Sequence, residues 1–200
     1  MGQMSKTLIF AFGRMNPPTV GHGKLVAKVK RMAQQQRADH LIVASHSFDK
    51  NKNPLDPNLK LMHLKGMFPN TNFKLSDKEN PNFIKQLGLL TGKYDHIVMI
   101  AGSDRVQEFQ RLLNTYNGKD FTFKSARVVS AGERDPDAEG VTGMSASKMR
   151  LAAKNNDYAS FSRGLPSSYA SMNKKKLFKQ VRDGMQLEET YKSFSQYLRG

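Results

Sequence analysis

A chain of 200 residues is long enough to bury one sizeable core, and 38% hydrophobic with 24% charged residues exclude a disordered or fibrous class. The absence of cysteine excludes disulfides, thiolate zinc sites and cysteine nucleophiles together, while 32 basic against 17 acidic residues give +15, a field that attracts nucleotides, nucleic acid or any other polyanion. No apolar run approaches the ~20 residues that cross a bilayer, MGQMSKTLIFAFGRM turns polar too soon for a signal peptide, and Lys6 stands where myristoylation wants Ser or Thr, so no membrane partner and a cytoplasmic location are expected.

In chain order, apolar runs of strand length fall at 8–12, 40–44, 72–75, 96–101 and 121–129. Helical spacing lies between them: 23–36 puts Leu25, Val26, Val29 and Met32 on one face, 57–67 does the same with Leu59, Leu61, Met62 and Leu64, and 83–90 and 106–113 follow. Alternation of this kind predicts an α/β fold, a Rossmann-like parallel five-stranded sheet with helices on both faces, whose ligand site lies beyond the carboxyl ends of the strands. After Arg150 no further strand run occurs, and the residues to Leu187 read as short helices broken at Gly164 and Pro166. We therefore expect a domain at 1–150 and a C-terminal helical extension at 151–200, in which Lys174, Lys175 and Lys176 form a solvated helix face. The aromatic-rich end, ETYKSFSQYLRG, is compatible with docking on the domain, with fraying, or with contacts in a homo-oligomer.

The stretch FGRMNPPTVGHGKLV, at 12–26, follows the first strand run. Gly13 suits a tight turn, Pro17 and Pro18 stiffen the next residues, Thr19 suits a helix cap, and Gly21 allows close approach to the backbone. His22 falls in the first helical turn, where amide groups and the helix dipole favour an anion, and Arg14 adds a forked cation. Late in the chain GMSASKMRLAA, at 143–153, reads as a second such helix start, with Ser145 or Ser147 as cap and Lys148 and Arg150 as cations.

The two stretches together resemble the signatures of the HIGH-motif nucleotidyltransferase superfamily, cytidylyltransferase-like in fold, and within it the archaeal-type nicotinamide-nucleotide adenylyltransferases. Thr19 occupies the variable first position of the first signature, and Ala146 and Ser147 depart from the second. The segment NPLDPNLKLMHL resembles an Asn-Pro segment of the same enzymes, with Lys60 where arginine is usual. The segment IAGSDRVQEF resembles one in which the acid faces the nucleotide, pointing to Gly102 and Asp104; Asp104 reads equally as the N-terminal charge of its own helix.

The resemblance implies an enzyme that transfers a nucleoside monophosphate, AMP from ATP, to a phosphate-bearing acceptor such as nicotinamide mononucleotide and releases pyrophosphate. His22, Thr19, Arg14 and Arg150 would act at the phosphates, and Gly13, Gly21, Gly102, Asp104, Ser145, Ser147 and Lys148 would bind nucleotide. Asn16, Lys60 and Arg134 would contact the acceptor. Mg²⁺ would be carried mainly by the nucleotide phosphates, with no metal site supplied by the chain. CTP-dependent cytidylyl transfer, and a noncatalytic nucleic-acid-binding or assembly role on the same fold, are the competing expectations.

Overall fold

The computed structural model describes residues 5–132 and 144–187. Five strands, β1 (Thr7–Gly13), β2 (Asp39–Ala44), β3 (Phe73–Leu75), β4 (His96–Ala101) and β5 (Ser125–Ser130), form one parallel sheet in the order β3-β2-β1-β4-β5. The chain steps outward from β1 to β2 and β3, then returns to the other side of β1 with β4. The reversal falls between β1 and β4, so their carboxyl ends flank the crevice in which ligands of open α/β sheets bind.

Alternation along β1 explains the two layers. Ile9 and Ala11 face one side, where they pack with Val26, Val29, Met32 and Ala33 of α1 (Val20–Gln36) and Leu64 of α2 (Pro57–Met67). Leu8 and Phe10 face the other, with Phe83 and Leu87 of α3 (Phe83–Gly88) and Leu113 of α4 (Val106–Tyr116). Each such side chain removed from water contributes about 1.5–3 kcal/mol before conformational entropy is counted. Capping follows the sequence as well: Asp56 accepts from the Asn58 and Leu59 amides ahead of Pro57, and Asn82 accepts from that of Lys85.

The strand expected at 121–129 begins later, at Ser125. Asn117 explains the difference, because its side chain donates to the Phe123 carbonyl at 3.1 Å and accepts the Phe123 amide at 2.9 Å. Those backbone groups are thereby satisfied without a neighbouring strand, and Phe121 and Phe123 turn into the core beneath the sheet.

The C-terminal helices are α5 (Ala146–Lys154), α6 (Tyr158–Arg163) and α7 (Ser171–Gly184). The boundary expected between residues 150 and 151 falls in the middle of α5. Met149, Ala153, Phe161, Leu177 and Val181 share one apolar cluster with Leu55 and Met67, which precede and end α2. Arg182 reinforces the unit, donating to the Ala153 carbonyl at 2.6 Å and stacking 5.7 Å from the Phe178 ring centre. His63 is fully buried: the Tyr169 hydroxyl lies 2.5 Å from its Nδ1 and the Gln180 amide oxygen 2.7 Å from its Nε2. No helix among the described residues is long and apolar enough to cross a membrane.

Candidate functional site

Gly13 is the last residue of β1, and the left-handed position of the turn falls two residues later on Met15, at φ 48°. That conformation is uncommon away from glycine and persists here because the surroundings fix it. Met15 is itself buried in the core. Asn16, 1% exposed, donates to the Leu55 carbonyl at 2.8 Å and accepts the Leu55 amide at 2.9 Å. The Lys60 ammonium donates to the Arg14 carbonyl at 3.0 Å and to the Ser45 carbonyl, and Ser45 in turn donates its amide to the Gly13 carbonyl at 2.9 Å. Lys60 thus joins the ends of β1 and β2 from beneath. Asn16 and Lys60, expected at an acceptor, hydrogen-bond backbone groups in the interior.

Pro17 and Pro18 lead, buried, to Thr19 at the cap of α1. His22 is residue N3 of a capping box, its Nδ1 accepting the Thr19 amide at 3.0 Å while its own amide donates to the Thr19 carbonyl at 3.0 Å. Because Nδ1 accepts, a neutral imidazole carries its proton on Nε2, which makes Nε2 the donor. Thr19 is 1% exposed with its Oγ1 3.1 Å from that same Nδ1, so its hydroxyl orients His22 rather than lining an open cleft. At Gly21 a Cβ would stand 3.3 Å from Thr19 Oγ1 and 3.4 Å from the Met144 carbonyl oxygen, close enough that only glycine fits without displacement.

That contact with Met144 already brings the second stretch to the first. Ser145 caps α5, its Oγ accepting the Lys148 amide at 3.2 Å. Arg150 projects from the next turn and donates to the Asn16 carbonyl at 2.8 Å and to Ser147 Oγ at 3.0 Å. Burial first, and then the cation of Arg14, push Arg150 below the ordinary guanidinium value, with Asp49 opposing them. Arg150 is thus hydrogen-bonded to the turn that follows Arg14, more than a hundred residues away in sequence, and the nearby charges of Arg14 and Asp49 both act on it.

Gly102 and Asp104 occupy the turn after β4, where Gly102 precedes a short 3₁₀ turn (Ser103–Arg105) in which Asp104 is exposed. Lys148 is exposed in the first turn of α5. Arg134 lies outside the described residues. His46 is tied to the end of the neighbouring strand segment, its Nδ1 3.0 Å from Ser76 Oγ. Sequence reading missed the contribution of the C-terminal helices: the Val20 amide, first in α1, donates to the Gly164 carbonyl at 2.8 Å. A backbone acceptor leaves no residue-type signal, and Gly164 reads simply as a helix stop.

No protein-family model matches the sequence, and no curated protein matches it. Solved structures do resemble it. A Plasmodium falciparum nicotinic acid mononucleotide adenylyltransferase, complexed with APC, superposes with a TM-score of 0.57 at 14% identity, over 92% of this chain and 100% of its own. Thermotoga maritima TmcAL gives 0.52 at 11% identity over 91% of this chain, which spans 58% of that longer protein. A Vibrio parahaemolyticus protein described as a candidate nicotinate-nucleotide adenylyltransferase gives 0.50 at 15% identity, covering 86% and 98%. At these identities the likeness establishes the fold: a Rossmann-like parallel sheet with helices on both faces, the architecture on which such adenylyltransferases are built.

Proposed function

We propose that the chain is a nucleotidyltransferase that moves AMP from ATP to a phosphate-bearing acceptor, nicotinamide mononucleotide or a close analogue, and releases pyrophosphate. The observation that supports this reading is the hydrogen bond from Arg150 to the Asn16 carbonyl, which joins the start of α5 to the turn before the capped start of α1. The likeness in fold to adenylyltransferases supports it.

In this reaction an acceptor phosphate oxygen forms a bond to the α-phosphorus as the bond to the bridging α,β-oxygen breaks, and pyrophosphate leaves with the electron pair. The attacking oxygen is already ionised, so the protein has no proton to remove; its work is alignment and charge neutralisation. His22 donates through Nε2–H to the α-phosphoryl oxygen, held in that orientation by Thr19. Arg14, Arg150 and Lys148 hold the triphosphate, along with the α5 amides beside Ser145 and Ser147. Gly21 lets the Met144 backbone approach the start of α1, and Gly102 and Asp104 approach the nucleotide from the turn after β4. No group of three metal-ligating side chains occurs among the described residues. Mg²⁺ would enter with the nucleotide and neutralise phosphate charge.

Pyrophosphate release measured with ATP and with CTP, each in the presence of nicotinamide mononucleotide, tests the reading. Release with ATP is expected; release with CTP alone would replace it by cytidylyl transfer.

A further inference from the structure

The first amide of a helix is ordinarily free to meet an anion. In α1 that amide, Val20, is already taken by the Gly164 carbonyl at 2.8 Å, a group of the C-terminal helices. Gly164 also touches the other motif. A Cβ there would stand 2.5 Å from Met144 Cγ and 2.6 Å from Met149 Sδ, on either side of the Ser145 cap. The residue thus sits where the starts of α1 and α5 come together, and a side chain there would displace the Met144 and Met149 side chains.

What holds Gly164 is rigid in its turn. Its amide donates to the Phe161 carbonyl at 3.0 Å, Leu165 is buried, and Tyr169 lies against His63 of α2. The following segment is therefore anchored to the same layer that fixes Asn16 through Leu55.

We propose that the Gly164 carbonyl is a positioning group for the nucleotidyl-transfer site, setting through the Val20 amide where Gly21 and His22 stand relative to the α5 start. The proposal rests on the nucleotidyltransferase reading above. It makes the C-terminal helices part of the active machinery, so that binding at the start of α1 and order in the α6 to α7 connection are coupled. With the first amide occupied, anion contact in α1 passes to Gly21 and the His22 ring, whose placement tolerates little error: a displacement of about 1 Å costs on the order of a hundredfold in rate.

The bond is removable with the helix start kept, although the proline ring that replaces the amide hydrogen also pushes the Gly164 carbonyl away. Proline is favoured at the first helical position and lacks the amide hydrogen, and Thr19, at φ −138° and ψ 164°, already has the extended geometry a residue before proline adopts. Val20→Pro therefore deletes the donor, while Val20→Ala retains it and controls for the lost side chain. Relative to Val20→Ala, Val20→Pro is expected to lower the unfolding midpoint by several degrees, because its ring displaces the buried Gly164 carbonyl, and, compared at a temperature where both variants are folded, to lose roughly tenfold to a hundredfold in kcat. ATP is expected to slow hydrogen exchange at residues 158–165 in wild type and Val20→Ala but not in Val20→Pro.

Equal kcat and equal exchange in the two variants would overturn the proposal. In wild type alone, ATP protection of residues 19–24 without protection of 158–165 would overturn it while leaving the nucleotide reading intact. Protection of neither segment, together with no pyrophosphate release, would defeat the nucleotidyltransferase reading itself and the proposal with it.

Discussion

An ammonium group buried without a carboxylate is expensive, and Lys60 lowers that cost by donating to the Arg14 and Ser45 carbonyls. Burial still holds its pKa down, to about 8 from 10.5, with Asp56 opposing. Below the folded value both states are charged and the penalty is full. Between the two values the unfolded chain binds a proton that the folded chain does not, so stability rises with pH across that window, by up to about 3 kcal/mol. The unfolding free energy of wild type minus that of Lys60→Met, measured in urea at pH 7.5 and at pH 10, should increase; a constant difference would contradict the burial of a charged amine. Residue types alone do not reveal this role. A lysine and an asparagine inside a ligand-binding motif look alike whether they reach outward to substrate or inward to backbone, and only the packing of Leu55 and β2 around the turn decides it.

At the scale of elements, periodicity carries most of the fold, because strands buried on both faces must be apolar and helices covering them must be striped. β1, β2, β4, α1 and α2 are legible for that reason. The segment before β5 is not, since apolar residues such as Phe121 and Phe123 read the same in a strand as in a loop tucked under the sheet and braced by Asn117. The docking of α7 is equally hidden. Its last residue, Gly184, lies so close to the β2 to α2 connection that a Cβ would be 1.6 Å from the Pro54 carbonyl oxygen. Backbone, unlike a flexible side chain, does not step aside cheaply. Gly184→Ala is expected to destabilise the protein by about 1–3 kcal/mol or more, read from its urea midpoint, by lifting α7 off that connection. An unchanged midpoint would show that α7 is not seated there.

Across the whole molecule, the central feature is convergence. The sheet order brings the turn after β1 to the crevice beside β4, and the C-terminal helices bring Ser145, Ser147 and Arg150 to the same turn, with Arg150 hydrogen-bonded to the Asn16 carbonyl. The sequence contains both stretches but not the distance between them; that is set by Gly21 against Met144 and by Gly164 against Val20, contacts made by backbone and by the absence of side chains. If the two stretches act on one triphosphate, damage to either should overlap with damage to the other. Glutamine is a natural N3 residue of a capping box, so His22→Gln removes the imidazole donor while preserving the helix start. A double-mutant cycle on turnover with ATP, using His22→Gln, Arg150→Gln and the double variant, all checked for unchanged unfolding midpoints, is therefore the most direct measurement. Each single change is predicted to cost roughly a hundredfold or more, and the double change clearly less than the product of the two. Losses that multiply in full, or a single variant with wild-type turnover, would contradict a shared phosphate site.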